Sequence, residues 1–284
     1  MNILFIGDIV GKVGRKALKK NLDSACKKYK INFIIANGEN ISRGRGMNEN
    51  HYNFLINQGI DCITLGNHYK DRPEIIDYLD FADEVVRPLN IKEDFPGVGS
   101  KVFDVNGVKI RVTNLLGLAF SKLDVDDPYT SIEKIIEIDD SDIHIVDFHA
   151  EATGEKKAFA YALKNTVSAV IGTHTHVQTR DAQILNTGTM FISDVGMCGS
   201  YNSVLGCEIN SVIERVIKHN ENTRFSYLED DDCLFSACVL KFNDLTFKSE
   251  EIIPIYLISR KESNYEEGSY WKFTRYEWSK KESQ

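Results

Sequence analysis

The sequence predicts an α/β sandwich, with a mixed sheet or two sheets lying between helices. Short apolar runs alternate with amphipathic segments of helical period, an Asn-Gly pair marks a hairpin where that rhythm breaks, and polar residues gather where the apolar runs end. At 284 residues and 42% hydrophobic content the chain can bury a full core in one large domain or two small ones.

The elements follow in order. "NILFIGD" opens as a strand, and "GKVGRKALKKNLDSACKKY" places Leu18, Leu22, Ala25 and Tyr29 at helical spacing with lysines between them. "NFIIANGEN" repeats the strand, "NENHYNFLINQG" the helix, ended by Gly59, and "DCITLGNH" the strand again; "RPEIIDYLDF" reads as a helix with Pro73 near its start. This alternation implies right-handed β-α-β units whose strands are covered on both faces. "KVFDVNGVKIRVTNLLG" then reads as two strands joined at Asn106-Gly107. "DPYTSIEKIIEI" and "GEKKAFAYALKN" read as helices, "DIHIVDFHAE" and "VSAVIGTHTH" as strands, and "AQILNTGTMFISD" as two short strands. A last helix in "EINSVIERVIKH" and strands in "LFSACVLKF" and "IIPIYLI" complete a domain over residues 1–260, with a charged and aromatic extension over 261–284.

A formal charge of −8 argues against bulk attraction to nucleic acid or anionic membrane, so an anionic substrate would need local help such as bound cations. No apolar run reaches the roughly 20 residues that span a bilayer, and "MNILFIGDIVGK" lacks the features of a signal peptide; the expectation is a cytoplasmic protein without membrane contact. The six cysteines form no C-x-x-C pair and read as reduced thiols without a chemical role.

Polar residues fall at the C-terminal ends of successive strands, where α/β proteins collect ligand sites. They are Asp8, Glu39 and Asn40, Asn67 and His68, His149, and His174 with His176. Singly, each has an ordinary reading: Asp8 as a helix cap, the asparagines as turn residues, His149 as a half-buried hydrogen-bonded histidine. His174-x-His176, if extended, points both rings to one face of a strand. Together they offer more nitrogen and oxygen donors than the four a tetrahedral site takes, so two metals fit better than one. Imidazole, carboxylate and amide donors without cysteine suit iron, manganese, zinc or cobalt, and a metal pair can activate water and clamp a phosphoryl group.

The string Asp8, Glu39-Asn40, Asn67-His68, His149, His174-x-His176 resembles the calcineurin-type metallophosphoesterase signature. The chain departs from its common form in having "GDIVG" without the usual Asp-x-His, and Glu39 where an aspartate is usual. Both departures are shared by the YmdB-like branch of 2′,3′-cyclic-nucleotide phosphodiesterases, which "ILFIGDIVGKVGR", "IANGEN", "CITLGNH", "FHAE", "GTHTHVQT" and "DVGMCG" also resemble. The resemblance implies a metallophosphoesterase sandwich in which Glu39 bridges two ions. Asp8, Asn40 and His176 would complete one ion, Asn67, His149 and His174 the other, with iron ahead of manganese, zinc or magnesium. His68 would be the general acid. A nucleotidase or other phosphomonoesterase would share every ligand, and a regulatory RNA-associated protein with incidental turnover is a further class.

Around this set, Gly7, Gly38, Gly66 and Gly172 precede the ligands, as close backbone approach near the ions or simple strand termination. Ser42, Arg43 and Arg45 in "NISRGRGMN" suit contact with phosphate or sugar, or form a solvated loop. In the extension, Tyr270, Trp271, Phe273, Tyr276 and Trp278 interleave with Lys272 and Arg275. Such a pattern suits stacking on single-stranded RNA, but packing on the body or on a second copy in a homo-oligomer is the favoured reading.

Overall fold

The computed structural model describes residues 1–260 apart from Lys164, so the extension over 261–284 lies outside the described residues. The chain runs through β1 (Asn2–Ile6), β2 (Asp8–Ile9), α1 (Gly11–Tyr29), β3 (Phe33–Asn37), α2 (Glu49–Asn57), β4 (Cys62–Thr64), β5 (Val85–Val86), β6 (Ser100–Val105) and β7 (Val108–Leu116). It continues through α3 (Pro128–Ile136), β8 (Ile143–His149), α4 (Thr153–Ala162), β9 (Ala169–Thr173), β10 (Gln183–Ile184), β11 (Met190–Ile192), β12 (Met197–Ser200), α5 (Ile209–Val212), β13 (Cys233–Phe242) and β14 (Ser249–Ser259). No helix among the described residues is long and apolar enough to cross a membrane.

Two sheets face each other. The first has the order β2-β12-β13-β1-β3-β4-β5, with β14 also paired to β13, and the second β10-β11-β9-β8-β7-β6. β1, β3, β4 and β5 run parallel, as do β7, β8, β9 and β11, while β13, β6 and β10 are antiparallel to their neighbours. Strand alternation builds the layers: Ile3 and Phe5 of β1 face inward to meet Ile143 and Ile145 of β8 and Ala169 and Ile171 of β9. Leu4 and Ile6 point outward to Val13, Ala17, Leu18 and Leu22 of α1. On the other outer face Val146 and Phe148 of β8 pack on Phe159 and Ala160 of α4 and Ile132 of α3. The result is a four-layer α/β/β/α sandwich, as the sequence predicts.

Local chemistry sets several boundaries. Asn48 caps α2, its side chain accepting from His51 N, and Asp127 caps α3 by accepting from Thr130 N. Asn106 and Gly107 take φ of 56° and 87°, the left-handed pair of a type I′ hairpin. Two predicted helices come out differently. Residues Pro73–Asp77 and Leu79–Phe81 form two 3₁₀ turns, interrupted at Tyr78, whose hydroxyl is anchored by donating to Met47 O at 2.8 Å. The helix expected in "EINSVIERVIKH" is four α residues followed by a π-helical turn over Ile213–Ile217 that buries no side chain and so gains little from packing.

Candidate metal centre

The parallel strands of both sheets deliver their C-terminal ends to one edge, where the polar side chains meet. Asp8 is fully buried, and it does not cap α1, whose N-cap is Val10 without a side-chain bond. Asp8 Oδ2 accepts from His174 N at 3.2 Å, while its Oδ1 is buried with no hydrogen-bond partner. Glu39, also buried, lies past the end of β3; its Oε2 accepts from His68 N at 2.9 Å and its Oε1 lies 3.2 Å from His149 Nε2.

His149 ends β8, and a relay beneath it fixes its tautomer. Its Nδ1 lies 2.9 Å from Thr173 Oγ1, Thr173 donates to Asp147 Oδ1 at 2.6 Å, and Asn37 Nδ2 donates to Asp147 Oδ2 at 3.2 Å. With Thr173 already donating onward, the His149 proton belongs on Nδ1, leaving the Nε2 lone pair facing outward. That Nε2 lies 2.8 Å from Asn67 Oδ1, 3.2 Å from Glu39 Oε1 and 3.0 Å from His174 Nδ1. Three electron-rich atoms converge on one nitrogen, and a single proton could serve only one of them well; a cation serves all. One donor atom each from Glu39, His149 and His174 lies within 4.8 Å of the others.

The same conflict recurs beside it. His176 Nδ1 donates to Leu205 O at 2.9 Å, which leaves Nε2 unprotonated, 3.2 Å from Asn40 Oδ1. Asn40 Nδ2 donates to Gly44 O at 3.0 Å, which fixes the amide with its oxygen towards His176. His174 Nε2 lies 3.1 Å from Glu151 Oε2, so its Nδ1 is likewise the free nitrogen. The residues present therefore fit a cation among Glu39, His149 and His174, and the orphaned Asp8 oxygen, Asn40 and His176 offer further donors of the same kind beside it.

Electrostatics agree. Burial pushes the Asp8 carboxyl up to about 7, although His176 and His149 pull against it. Burial would depress His149, yet Glu39, Asp8 and Asp147 draw it up to about 9, so without a cation a second proton takes the outward Nε2 position. Burial and the neighbouring His149 charge press His174 down to about 3, keeping its lone pair available. Burial works against ionised Glu39, but His149 and His68 hold it below the usual carboxylate range. Buried carboxylates that draw positive charge onto an imidazole mark where cations would sit.

His68 stands beside this cluster without joining it: its Nδ1 lies 2.8 Å from Asp71 Oδ2, while its ring lines a cleft of about 860 Å³ shared with Asn67, His149, His174, Arg45 and Phe120. Asp71 carries no strand-end signal in the sequence. The other rim residues divide: Ser42 is turned inward, its Oγ 2.7 Å from His51 Nδ1, Arg43 is exposed, and only Arg45 lines the cleft.

His174 and His176 do not reach the site by strand alternation. β9 stops at Thr173, and the two histidines take φ of 101° and 65° in the loop beyond it. Such backbone is costly for residues with a Cβ and needs support. The support is a fully buried ion pair that the sequence reading passes over. Lys156 Nζ donates to Thr173 O at 2.7 Å and to Asp194 Oδ2 at 2.9 Å, and Asp194 accepts from Thr175 N at 2.9 Å and Gly196 N at 2.8 Å. Its signal was present: Lys156 falls on the apolar stripe of α4 with Phe159, Ala160 and Leu163, a place for a lysine only if it is paired. Among the glycines, Gly66 shows the close approach to the centre, since a Cβ there would lie 2.3 Å from Glu39 Oε2 and 2.5 Å from His149 Nε2. Gly7 and Gly172 are instead crowded by backbone at Gly196 and Ser193.

Comparison with known proteins agrees with this architecture. A model of the family described as YmdB-like protein matches residues 4–255. A 2′,3′-cyclic-nucleotide 2′-phosphodiesterase from Bacillus subtilis is 43% identical over 254 residues, 89% of this chain and 95% of that protein. A crystal structure of a phosphatase from Mycoplasma pneumoniae superposes with a TM-score of 0.86 at 34% identity, covering 92% of this chain and 94% of that one. The NAD nucleotidase of Haemophilus influenzae, 14% identical with a TM-score of 0.55 over 91% of this chain and 56% of its own, shares the fold alone.

Proposed function

Because this chain belongs to the YmdB-like family, with its metallophosphoesterase sandwich, we propose that it is a metal-dependent phosphodiesterase that hydrolyses 2′,3′-cyclic nucleotides. The observation that carries the reading is the convergence of Asn67 Oδ1, Glu39 Oε1 and His174 Nδ1 on His149 Nε2 within 3.2 Å. Glu39 would be shared between two ions, with Asp8, Asn40 and His176 as the residues that would complete one and Asn67, His149 and His174 those that would complete the other. Oxygen and imidazole donors without thiolate suit iron, manganese or zinc, and the family resemblance favours iron ahead of manganese, zinc or magnesium. When bound, such a pair supplies a water of lowered pKa and screens the charge of the phosphoryl group.

The chain's own residues do the rest. As the water oxygen adds to phosphorus, the bond to the ribose oxygen breaks, and His68 Nε2 gives that oxygen its proton. Asp71, 2.8 Å from His68 Nδ1, holds the ring in orientation for that transfer. Arg45 brings a positive charge to the cleft wall, where the phosphoryl oxygens lie. Replacement of His68 by alanine tests the assignment: the variant should keep its metal while cyclic-nucleotide hydrolysis falls about 10²- to 10⁴-fold. Full activity in that variant would remove His68 from the mechanism, and a large preference for monoesters in the parent protein would make it a phosphomonoesterase.

A further inference from the structure

We propose that the catalytic cleft continues past Arg45 into a second, basic pocket that holds the upstream backbone of a single-stranded oligoribonucleotide, so that the cyclic phosphate presented to the centre is a strand end. This rests on the cyclic-phosphodiesterase reading and narrows its substrate class.

Arg45 belongs to two cavities at once. One is the cleft of the candidate metal centre; the other, of about 610 Å³, is lined by Arg45, Arg215, Arg224, Phe225, Tyr227 and Glu221. Three arginines against one glutamate leave this pocket net positive in a chain of formal charge −8. None of the three arginines has a carboxylate closer than 3.7 Å among the described residues. Arg215 donates to the carbonyls of Glu221 at 2.6 Å and Thr223 at 2.9 Å and lies 5.8 Å from the Phe225 ring, so it faces carbonyls and an aromatic face. Arg224 is exposed and among the described residues has no ion-pair partner, and the nearest carboxylate to Arg45 is Asp71 at 3.7 Å. The acidic stretch that follows is engaged elsewhere: Glu229 with Lys12, Asp230 with Lys16, Asp231 with Ser200 and Asn202, and Asp232 with Arg260.

The junction between the cavities is built. Gly44, at φ 82°, lies so close to the Tyr227 ring that a Cβ would fall 2.1 Å from its Cζ. Only glycine fits there without moving the ring, so the loop bearing Arg45 packs directly on the segment bearing Arg224 and Phe225. Fixed cations with exposed aromatic faces, Phe225 in the pocket and Phe120 in the cleft, are what tracks a single strand: arginine to phosphate, ring to base. A mononucleotide would leave the second pocket unused.

The experiment measures binding, so that it does not depend on turnover. A 5′-labelled ribotetranucleotide with a 3′-phosphate is titrated with the full chain by fluorescence anisotropy, with the nucleoside 3′-monophosphate as competitor. The tetranucleotide should bind about tenfold or more tighter than the mononucleotide. Arg224→Ala, an exposed change that leaves folding intact, and Arg215→Ala as a second variant should each reduce that preference. Each should also shrink the salt dependence by about 0.7 in log–log slope, the share of one phosphate on a single strand. Hydrolysis of a 2′,3′-cyclic mononucleotide should be unchanged in Arg224→Ala. Equal affinities for the two ligands, an unaltered preference in both variants, or equal competition by hexaglutamate would overturn the proposal. Failure of the parent protein to hydrolyse the cyclic mononucleotide would instead refute the phosphodiesterase reading, and the binding result would still decide this one.

Discussion

Lys156→Met separates the role of the buried ion pair from that of the donor atoms above it. In the parent protein the ammonium and the Asp194 carboxylate are both buried, 2.9 Å apart, and between them they hold Thr173 O and Thr175 N on either side of His174. Methionine fills much of the lysine volume but leaves a buried carboxylate with only backbone N–H donors and a carbonyl with no donor. Breaking one side of such a pair costs about 3–5 kcal/mol. At roughly 2–4 °C per kcal/mol for a chain of this size, the melting temperature should fall by about 6–20 °C. His174 sits at φ 101°, so its loop should relax once Thr173 and Thr175 are released, and metal affinity should drop by about 10- to 100-fold. Urea denaturation of chelator-treated protein reads the first effect, and titration with Mn²⁺ the second. The double variant Lys156→Met, Asp194→Asn, which leaves no buried charge but keeps an acceptor for Thr175 N, should recover part of the stability. A loss under about 1 kcal/mol in Lys156→Met with unchanged metal affinity would refute the reasoning.

Two other perturbations probe separate parts of the account. Gly66→Ala would drive a methyl into Glu39 and His149, so metal affinity should fall about 10- to 100-fold while the far-ultraviolet circular dichroism is retained; tight metal binding in the variant would contradict the close approach. Remote from the centre, Asp139 lies 2.8 Å from Arg111 Nε and 2.7 Å from His144 Nδ1. Burial opposes its ionisation, but His144 and Arg111 outweigh it and hold the carboxyl below its ordinary value. A depressed carboxyl stabilises the fold above its unfolded pKa of about 3.9 and loses that contribution as pH falls through the folded value. The stability gap between the parent protein and Asp139→Asn in urea should thus be full at about pH 6 and begin to narrow only as the pH falls below about 4; a gap independent of pH would exclude the linkage.

What the sequence reveals divides along physical lines. Strands with two covered faces and helices with one apolar stripe are local patterns, so β1, α1, β3, α2 and the Asn106-Gly107 hairpin are all readable. Sheet order is not, because β13 pairs with β1 across more than two hundred residues and β12 comes between β2 and β13. The short 3₁₀ turns after Pro73 and the π turn over Ile213–Ile217 carry helical spacing but are shaped by tertiary anchors or their absence. At the site, the residues that meet are those at the strand ends, yet how they meet is hidden. Asp8 looks like a cap until His174 N is seen to need it. His174 and His176 converge from left-handed backbone, a conformation that residue spacing does not encode. Lys156 is hidden for the opposite reason: a lysine among polar neighbours in "GEKKAFAYALKN" looks solvated unless the helix is turned to its apolar stripe.

A two-cation centre bridged by Glu39 is the proposed core of the mechanism. Anomalous diffraction from metal-loaded crystals, recorded above and below the absorption edge of the metal supplied, tests it most directly. Two peaks should flank the Glu39 carboxylate, one among Asp8, Asn40 and His176 and one among Asn67, His149 and His174, and both should be lost in Glu39→Gln. A single peak, or two that persist at full height in Glu39→Gln, would contradict it.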